Sequence, residues 1–514
     1  MRKTFIAALI VLIVAVFFRF YNITSLPPGL YPDEAMNGSN AEEALQKKDF
    51  KVFYPENNGR EGLFINIQAG FMKVFGNEPF ALRSAAALFG VLTVLGIFFL
   101  TRELMKRKDE ENDENQPMGM VRSDRIAFFA SLFAAVGLWA VLFSRIGFRA
   151  NMAPCFLTWS LFLLIRSLPL IKEKFVKAIS LMTIGGFIFG LGMHSYIAYR
   201  ATPIIIAIIF FTKLGQAIRE RYTGKFMSVF IAFTAASIIA FAPLALYFVA
   251  HPADFMGRTT QVSALSDGSP VKALLINTVK TIGMFNVVGD FNWRHNYSGD
   301  PILSPVVGGL FLIGIALCIA SIIVSVRKKI SDKDLFPAIV IFSAFGVALL
   351  PVIASSEGIP HALRAILAVP PVFILAGIGA DWLFIRLKAW LNETETAKTV
   401  YRASIAAFTI FIILEGYVLY FVRWGGNPNV PGAYAQNFVD MARDINSLPI
   451  SVKKYVLVKA GGTDVRGWPM PTQTVMFMTN TFIPENRPAK NIVYIRNLSE
   501  IPEGEAGYRL FEIN

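Results

Sequence analysis

Eleven apolar runs of near-spanning length leave this chain few folds to choose from. They fall at about residues 4–20, 84–101, 126–143, 151–168, 178–193, 201–214, 226–249, 304–326, 335–354, 362–384 and 403–422. About 20 residues of helix cross ~30 Å of hydrocarbon. Backbone polar groups at that depth must be bonded internally, so the expected fold is an α-helical polytopic membrane bundle. Composition agrees, with 54% hydrophobic and 17% charged residues, outside the range of soluble domains. The run at 201–214 is short and is expected to extend into its flanks. The first run follows Arg2 and Lys3, lacks a small-x-small cleavage site and continues as Arg19-Phe20-Tyr21, so it reads as a retained span.

The net charge of +13 is spread over short segments between apolar runs, with no basic face or nucleic-acid motif, which argues against a nucleic-acid partner. Arg102, Lys106, Arg107, Lys108, Arg122 and Arg125 share one loop. Lys172, Lys174 and Lys177, then Lys213, Arg219, Arg221 and Lys225, then Arg327, Lys328, Lys329 and Lys333, then Arg386, Lys388, Lys398 and Arg402 fill others on the same side as Arg2 and Lys3. The positive-inside rule makes that side, and the N-terminus, cytoplasmic in a multi-pass plasma-membrane protein. The loops at about 21–83, 144–150, 194–200, 250–303 and 355–361, and the tail from about 423, are then external. Lys108 to Gln116 reads as a charged cytoplasmic linker. Cys155 and Cys318 lie inside apolar runs and read as small core residues.

Two domains are expected: a membrane domain over 1–424 and a small extracytoplasmic α/β unit over 425–514. In the tail, β-rich runs at Tyr455–Lys459, Thr474–Met478, Asn491–Ile495 and Gly507–Phe511 are separated by Gly, Pro and Asn clusters, with a helix around Ala435–Ile445. In the first external loop Asp33 is expected to cap a helix through Asn37, Ala41, Glu42 and Leu45. A second segment with Leu63, Ile67, Phe71, Val74 and Phe75 is expected to lie on the membrane surface.

Three carboxylates in that loop, Asp33, Glu34 and Glu61, are the candidate catalytic groups. A hydroxyl is a poor nucleophile at neutral pH until a base stands within hydrogen-bond reach. One carboxylate can act as that base while Glu34 or Glu61 orients it, or Asp33 and Glu61 can share a divalent cation, the one cofactor considered. The bland alternative is a helix cap at Asp33 and solvated charges at the other two.

The short external turns Ser144–Arg149, Met193–Arg200 and Gly358–Arg364 hold Arg145, Arg149, Arg200 and Arg364, with His194, Tyr199 and His361 among them. Basic residues there lie on the wrong side for a topology signal. Snorkelling explains one arginine; four, with Arg60 from the first loop, suit a phosphate, whose oxygens the guanidinium fork binds in pairs. The loop Gly289–Pro301 offers Asn292, Trp293, Arg294, His295 and Asn296, residue types that bind a sugar or a hydroxyl acceptor and equally suit an interfacial aromatic turn.

These stretches resemble the GT-C membrane glycosyltransferases, in particular the family 39 group with the protein O-mannosyltransferases and lipid A aminoarabinose transferases. The resemblance rests on Pro28-Gly-Leu-Tyr-Pro-Asp-Glu34, Glu61, Ala81-Leu-Arg-Ser84, Ser144-Arg-Ile-Gly-Phe-Arg-Ala-Asn151, His194–Arg200 and His361-Ala-Leu-Arg364, and covers about residues 5–420. It implies Asp33 as the base, Glu61 as a second active-site acid, and external arginines holding the phosphate of a polyprenyl-phosphate sugar. It departs from both subgroups: Gly62 stands where aminoarabinose transferases carry a lysine, and the 250–303 loop is too short for the β-trefoil of eukaryotic O-mannosyltransferases.

The function expected is inverting transfer of a sugar from a polyprenyl-phosphate donor to a hydroxyl on a protein, glycan or lipid, among membrane lipids and on the external face. Asp33, Arg145, Arg149, Arg200 and Arg364 should then surround one spot. The alternative is a transporter or flippase for a lipid-linked saccharide, which needs ionisable residues near the bilayer midplane. The charges instead crowd one face.

Overall fold

A computed structural model describes residues 2–106, 120–255, 270–328, 332–356, 358–391 and 394–514. The expected linker Lys108–Gln116 lies outside the described residues. The helices of the membrane part, in chain order, are α1 (Arg2–Phe20), α2 (Pro32–Lys47), α3 (Gly62–Phe75), α4 (Pro79–Met105), α5 (Arg122–Val136), α6 (Leu138–Ser144), α7 (Met152–Ser167), α8 (Phe175–Gly192), α9 (Pro203–Arg219), α10 (Thr223–Ala250), α11 (Pro270–Gly283), α12 (Pro305–Lys328), α13 (Asp332–Ile353), α14 (Val369–Trp390) and α15 (Glu395–Tyr417).

Among the described residues ten helices are long and apolar enough to span a membrane, and the pair α5–α6, bent by 60°, makes an eleventh. Each apolar run of the sequence has its counterpart. The short run at 201–214 does extend, over Ile197–Arg219. The bend sits at Gly137, extended at φ −60° and ψ 128°. Its N–H still reaches the Phe133 carbonyl at 2.8 Å, and the Phe373 ring packs where a side chain would otherwise project. The bend turns α6 so that Trp139 donates to the Ala362 carbonyl at 3.1 Å, tying it to the loop before α14.

The spans Pro79–Met105 and Ile366–Trp390 are 78% and 89% buried, which puts α4 and α14 at the centre. Peripheral α10 instead exposes Ile231, Ile238, Ile239, Leu246 and Val249, a continuous apolar surface that water does not tolerate and lipid does.

Helix α2 begins at Pro32 with Tyr31 as its N-cap residue. Asp33 therefore does not cap it: proline, whose missing N–H suits the first turn, starts the helix one residue earlier and leaves Asp33 inside. Helix α3 buries Phe64, Ile65, Gln68, Ala69 and Met72 while Val74 and Phe75 stay exposed. It is apolar on both faces, as a helix between protein and lipid must be.

In the tail, β1 (Lys454–Val458) is flanked by β2 (Ile492–Ile495) and β3 (Arg509–Ile513), both parallel to it. Before them runs α16 (Gln436–Ser447). Thr474–Met478, expected as a strand, belongs to the helix α17 (Thr472–Met478). Packing on α2 overrides its β-propensity. Phe477 seats its ring over the bare Cα of Gly38, Thr474 donates to the Leu30 carbonyl at 3.0 Å, and Met36 joins the apolar core of the tail. Arg466 adds ion pairs to Glu43 at 2.8 Å and Glu56 at 2.6 Å. The tail and the first loop thus share one core.

Candidate active site

The site is built on α2, which is buried almost throughout despite its polar sequence, so its polar side chains must find partners inside the protein. Glu34, fully buried, accepts from Arg83 Nε at 3.2 Å, from the Gly147 amide at 2.8 Å and from the Tyr31 amide at 3.3 Å. Arg83 spends its other donors on the carbonyls of Pro27 and Gly29, both at 2.7 Å. Asn37 donates to the Gly147 carbonyl at 3.1 Å. These bonds fix the Ser144–Arg149 turn against the start of α2.

That turn delivers Arg149 to Glu61. Glu61 ends a two-residue strand pairing, Phe53 with Glu61 and Tyr54 with Arg60, and then begins α3. Its carboxylate accepts from Arg149 Nε at 2.6 Å. His194, buried with Nε2 3.0 Å from the Ala240 carbonyl, and Arg200 both stand within electrostatic reach of Glu61. Burial lowers the basicity of His194, which Glu61 partly offsets. Arg200 lays its guanidinium over Phe255 at 4.3 Å and Phe248 at 5.2 Å.

Asp33 is half-buried beside this group, its carboxylate accepting from Asn57. Asn57, Asn58 and Gly59 run at φ 53°, 60° and 81°, a left-handed turn that asparagine and glycine tolerate and that sets the Asn57 amide over Asp33. Arg60 is pushed down to about 10 by burial and by Arg149, with Glu56 and Asp33 opposing. Asp33 and Arg149 therefore flank the same guanidinium. Asp33 also faces Tyr31, whose ring carries the Arg294 guanidinium at 3.7 Å and meets Phe148 edge-on at 6.1 Å.

Beyond Tyr31 lies a second group. Asp290 accepts from His295 Nδ1 at 2.9 Å, from the Ala362 amide at 2.8 Å and from the Asn292 amide at 2.8 Å. The His295 and His361 rings are 4.9 Å apart. Burial, His295 and Arg364 push His361 down to about 3, so it is a neutral ring at physiological pH. Arg364 bonds Ser355 and lies close to both histidines.

Several expected binding residues work elsewhere. Arg145 is fully buried and turned the other way, donating to the carbonyls of Phe18 at 2.8 Å, Tyr21 at 2.7 Å and Leu26 at 2.7 Å. Phe18 and Tyr21 stand at the end of α1 and Leu26 in the loop after it, so Arg145 satisfies orphan helix and loop carbonyls and not a phosphate. Tyr199 is fully buried with its ring 5.4 Å from Phe189, in the helix core. Arg60 gives its fork to Asn37 at 2.8 Å and to Asn40, which makes it a strut of α2. Glu34 belongs to the buried Arg83 pair and is out of reach of a substrate. Asn296 closes its own loop through the Asp300 carbonyl, the Trp293 carbonyl takes the Trp424 indole N–H at 2.8 Å, and Asn292 turns back onto Arg294. The carboxylate of Glu61 is already met by Arg149, so an ion shared with Asp33 would have to displace that pair.

The expected ring of Asp33, Arg145, Arg149, Arg200 and Arg364 thus resolves into parts. Arg149 and Arg200 gather about Glu61, Asp33 stands across Arg60 from Arg149, Arg364 lies past Tyr31 and Arg294, and Arg145 is absent. Asp290 and Arg83 carry more of the architecture than their sequence context suggested; a lone acid in a polar loop and an arginine opening an apolar run give no distance signal. A cavity of about 1060 Å³ bounded by Lys106, Arg122, Lys213 and Asp381 lies at the opposite ends of the helices and includes none of these residues.

No family model matches the sequence, and no curated protein is similar to it in sequence. Solved structures are similar in fold. The crystal structure of ArnT from Cupriavidus metallidurans bound to undecaprenyl phosphate superposes with a TM-score of 0.58 at 14% identity, over 98% of this chain and 91% of that one. The apo structure of the same protein gives 0.52 at 13% identity, over 93% and 84%. The chain therefore has a GT-C-type fold, that of a multi-pass helical membrane protein with a small C-terminal sheet.

Proposed function

We propose that this protein is an inverting glycosyltransferase that moves a sugar from a polyprenyl-phosphate donor to a hydroxyl on a protein, glycan or lipid, at the membrane face bearing α2. By the positive-inside rule that face is external. The observation that supports it is the convergence of a half-exposed carboxylate, Asp33, with Glu61, Arg149, His194 and Arg200, contributed by three separate loops. The fold similarity to a protein that binds undecaprenyl phosphate agrees with such a donor.

Asp33 takes the proton of the acceptor hydroxyl as its oxygen attacks the anomeric carbon. The bond from that carbon to the phosphate oxygen breaks on the opposite side, and its electron pair stays on the phosphate. Arg200 and Arg149 meet the growing charge, so the leaving group departs without a general acid. Tyr31, with Phe148 and Arg294 in contact with its ring, borders the space beside Asp33 where a sugar would stand.

The test is turnover of a panel of polyprenyl-phosphate hexoses and pentoses by the purified protein, read as release of polyprenyl phosphate. Asp33→Asn is expected to lose activity about 100- to 10,000-fold while still binding undecaprenyl phosphate. Undiminished turnover in Asp33→Asn would overturn the role of Asp33. Movement of intact lipid-linked sugar across vesicles by wild type and variant alike, with no sugar released, would identify a flippase instead.

A further inference from the structure

Asp290, His295 and His361 form a cluster that the transfer chemistry does not use. Asp290 Oδ2 lies 2.9 Å from His295 Nδ1 and 3.8 Å from His361 Nδ1. The candidate ligand atoms of all three lie within 4.8 Å of one another. Asp290 and His295 are buried, and the His361 side chain is 18% exposed, which leaves one open side.

We propose that Asp290, His295 and His361 bind a divalent transition metal of the zinc class, which clamps the loop between α11 and α12 to the loop between α13 and α14. Two imidazoles and one carboxylate are the donor set such ions prefer. Tetrahedral bonds of about 2.0–2.1 Å set ligand atoms roughly 3.3–3.4 Å apart, and the separations of 2.9 Å and 3.8 Å bracket that spacing.

A plain Asp–His hydrogen bond accounts for His295 and leaves His361 unexplained. The Arg364 amide reaches His361 Nδ1 at a long 3.4 Å, and at 3.8 Å the Asp290 carboxylate is too far to bond that nitrogen directly. A metal ion that takes the Nδ1 lone pair in place of that long contact would join the His361 ring to the carboxylate. The carboxylate is held for this purpose by the Ala362 and Asn292 amides, both at 2.8 Å, the kind of outer bonding that orients metal ligands. Arg294 and Arg364 stand close by, and their charges lower the affinity for a bare dication. The open side admits water or an anionic oxygen as fourth ligand.

The experiment uses the full chain in detergent, stripped with EDTA and titrated with Co²⁺, followed by visible d–d absorption and by bound metal after desalting. Wild type is expected to bind a single Co²⁺ with a low-symmetry band that Zn²⁺ displaces, and Zn²⁺ should raise its Tm. His361→Ala and His295→Ala should abolish the band, and so should His361→Gln, which keeps a polar side chain if the alanine variants fail to fold. Glu61→Gln should keep it. Loss of the band in Glu61→Gln with retention in the His361 variants would move the ion to the acidic pair and overturn the proposal. So would the absence of saturable binding by monodisperse wild type. Metal binding is read without turnover, so the result stands apart from the glycosyltransferase assignment.

Discussion

Glu34 stands next to the proposed base, and its removal separates structure from chemistry. Glu34→Ala leaves the Arg83 guanidinium, 1% exposed, without its carboxylate, and leaves the Gly147 and Tyr31 amides without an acceptor. Breaking a buried ion pair by deleting one partner costs about 3–5 kcal/mol, because the surviving charge stays buried and unpaired. At about 2–4 °C per kcal/mol for mid-sized domains, the fall in Tm is roughly 6–20 °C. Glu34→Gln keeps an oxygen for the Gly147 amide but turns an N–H₂ toward Arg83, so a smaller loss is expected. The assay is thermal unfolding of the detergent-solubilised variants, followed by intrinsic fluorescence and by size-exclusion chromatography. A Glu34→Ala protein with wild-type Tm that fails only in turnover would refute the reasoning and return Glu34 to the catalytic set.

Other outcomes follow from the same geometry. Burial pushes Glu42 up to about 7, with Asn77 and Asn480 partly opposing. The folded protein therefore holds a proton that the unfolded chain gives up at ordinary carboxylate pH. The stability this confers is complete below about pH 4.3 and is lost as pH rises through 7, so Glu42→Gln should raise Tm at pH 8 and change little at pH 4. Gly62 donates to the Val52 carbonyl at 2.7 Å, with the Lys51 carbonyl where a Cβ would project. Gly62→Lys should consequently destabilise the protein in the unfolding assay, without conferring aminoarabinose-transferase character. Arg200→Ala should weaken undecaprenyl phosphate binding about 10- to 150-fold, the worth of a hydrogen bond to a charged group, with Tm held. Arg145→Ala should lower Tm and expression, since its partners are the buried carbonyls of Phe18, Tyr21 and Leu26.

Much of the candidate site was legible as neighbourhood and little of it as geometry. Asp33 and Glu61 stood out because acids beside a membrane are uncommon, and both lie where the loops converge. Arg145 and Arg149, four residues apart in one turn, looked equivalent; the turn sends one to Glu61 and the other beneath α1. Asp290 gave no sign of joining His361, 71 residues along the chain, because only the packing of two loops puts them together.

The chain by itself determined the eleven spans and their order, since apolar length against bilayer thickness is a local property read run by run. It marked the runs that become the tail strands β1, β2 and β3 for a similar reason, a short β-branched run being local too, but not their parallel pairing. Tertiary structure alone decided that Thr472–Met478 is a helix, because its ring of Phe477 needed Gly38 of a distant segment to sit against. It alone decided which arginines gather about Glu61 and which hold up the fold. A guanidinium finds its partner through space, and partners 20 to 127 residues away leave no periodicity in sequence.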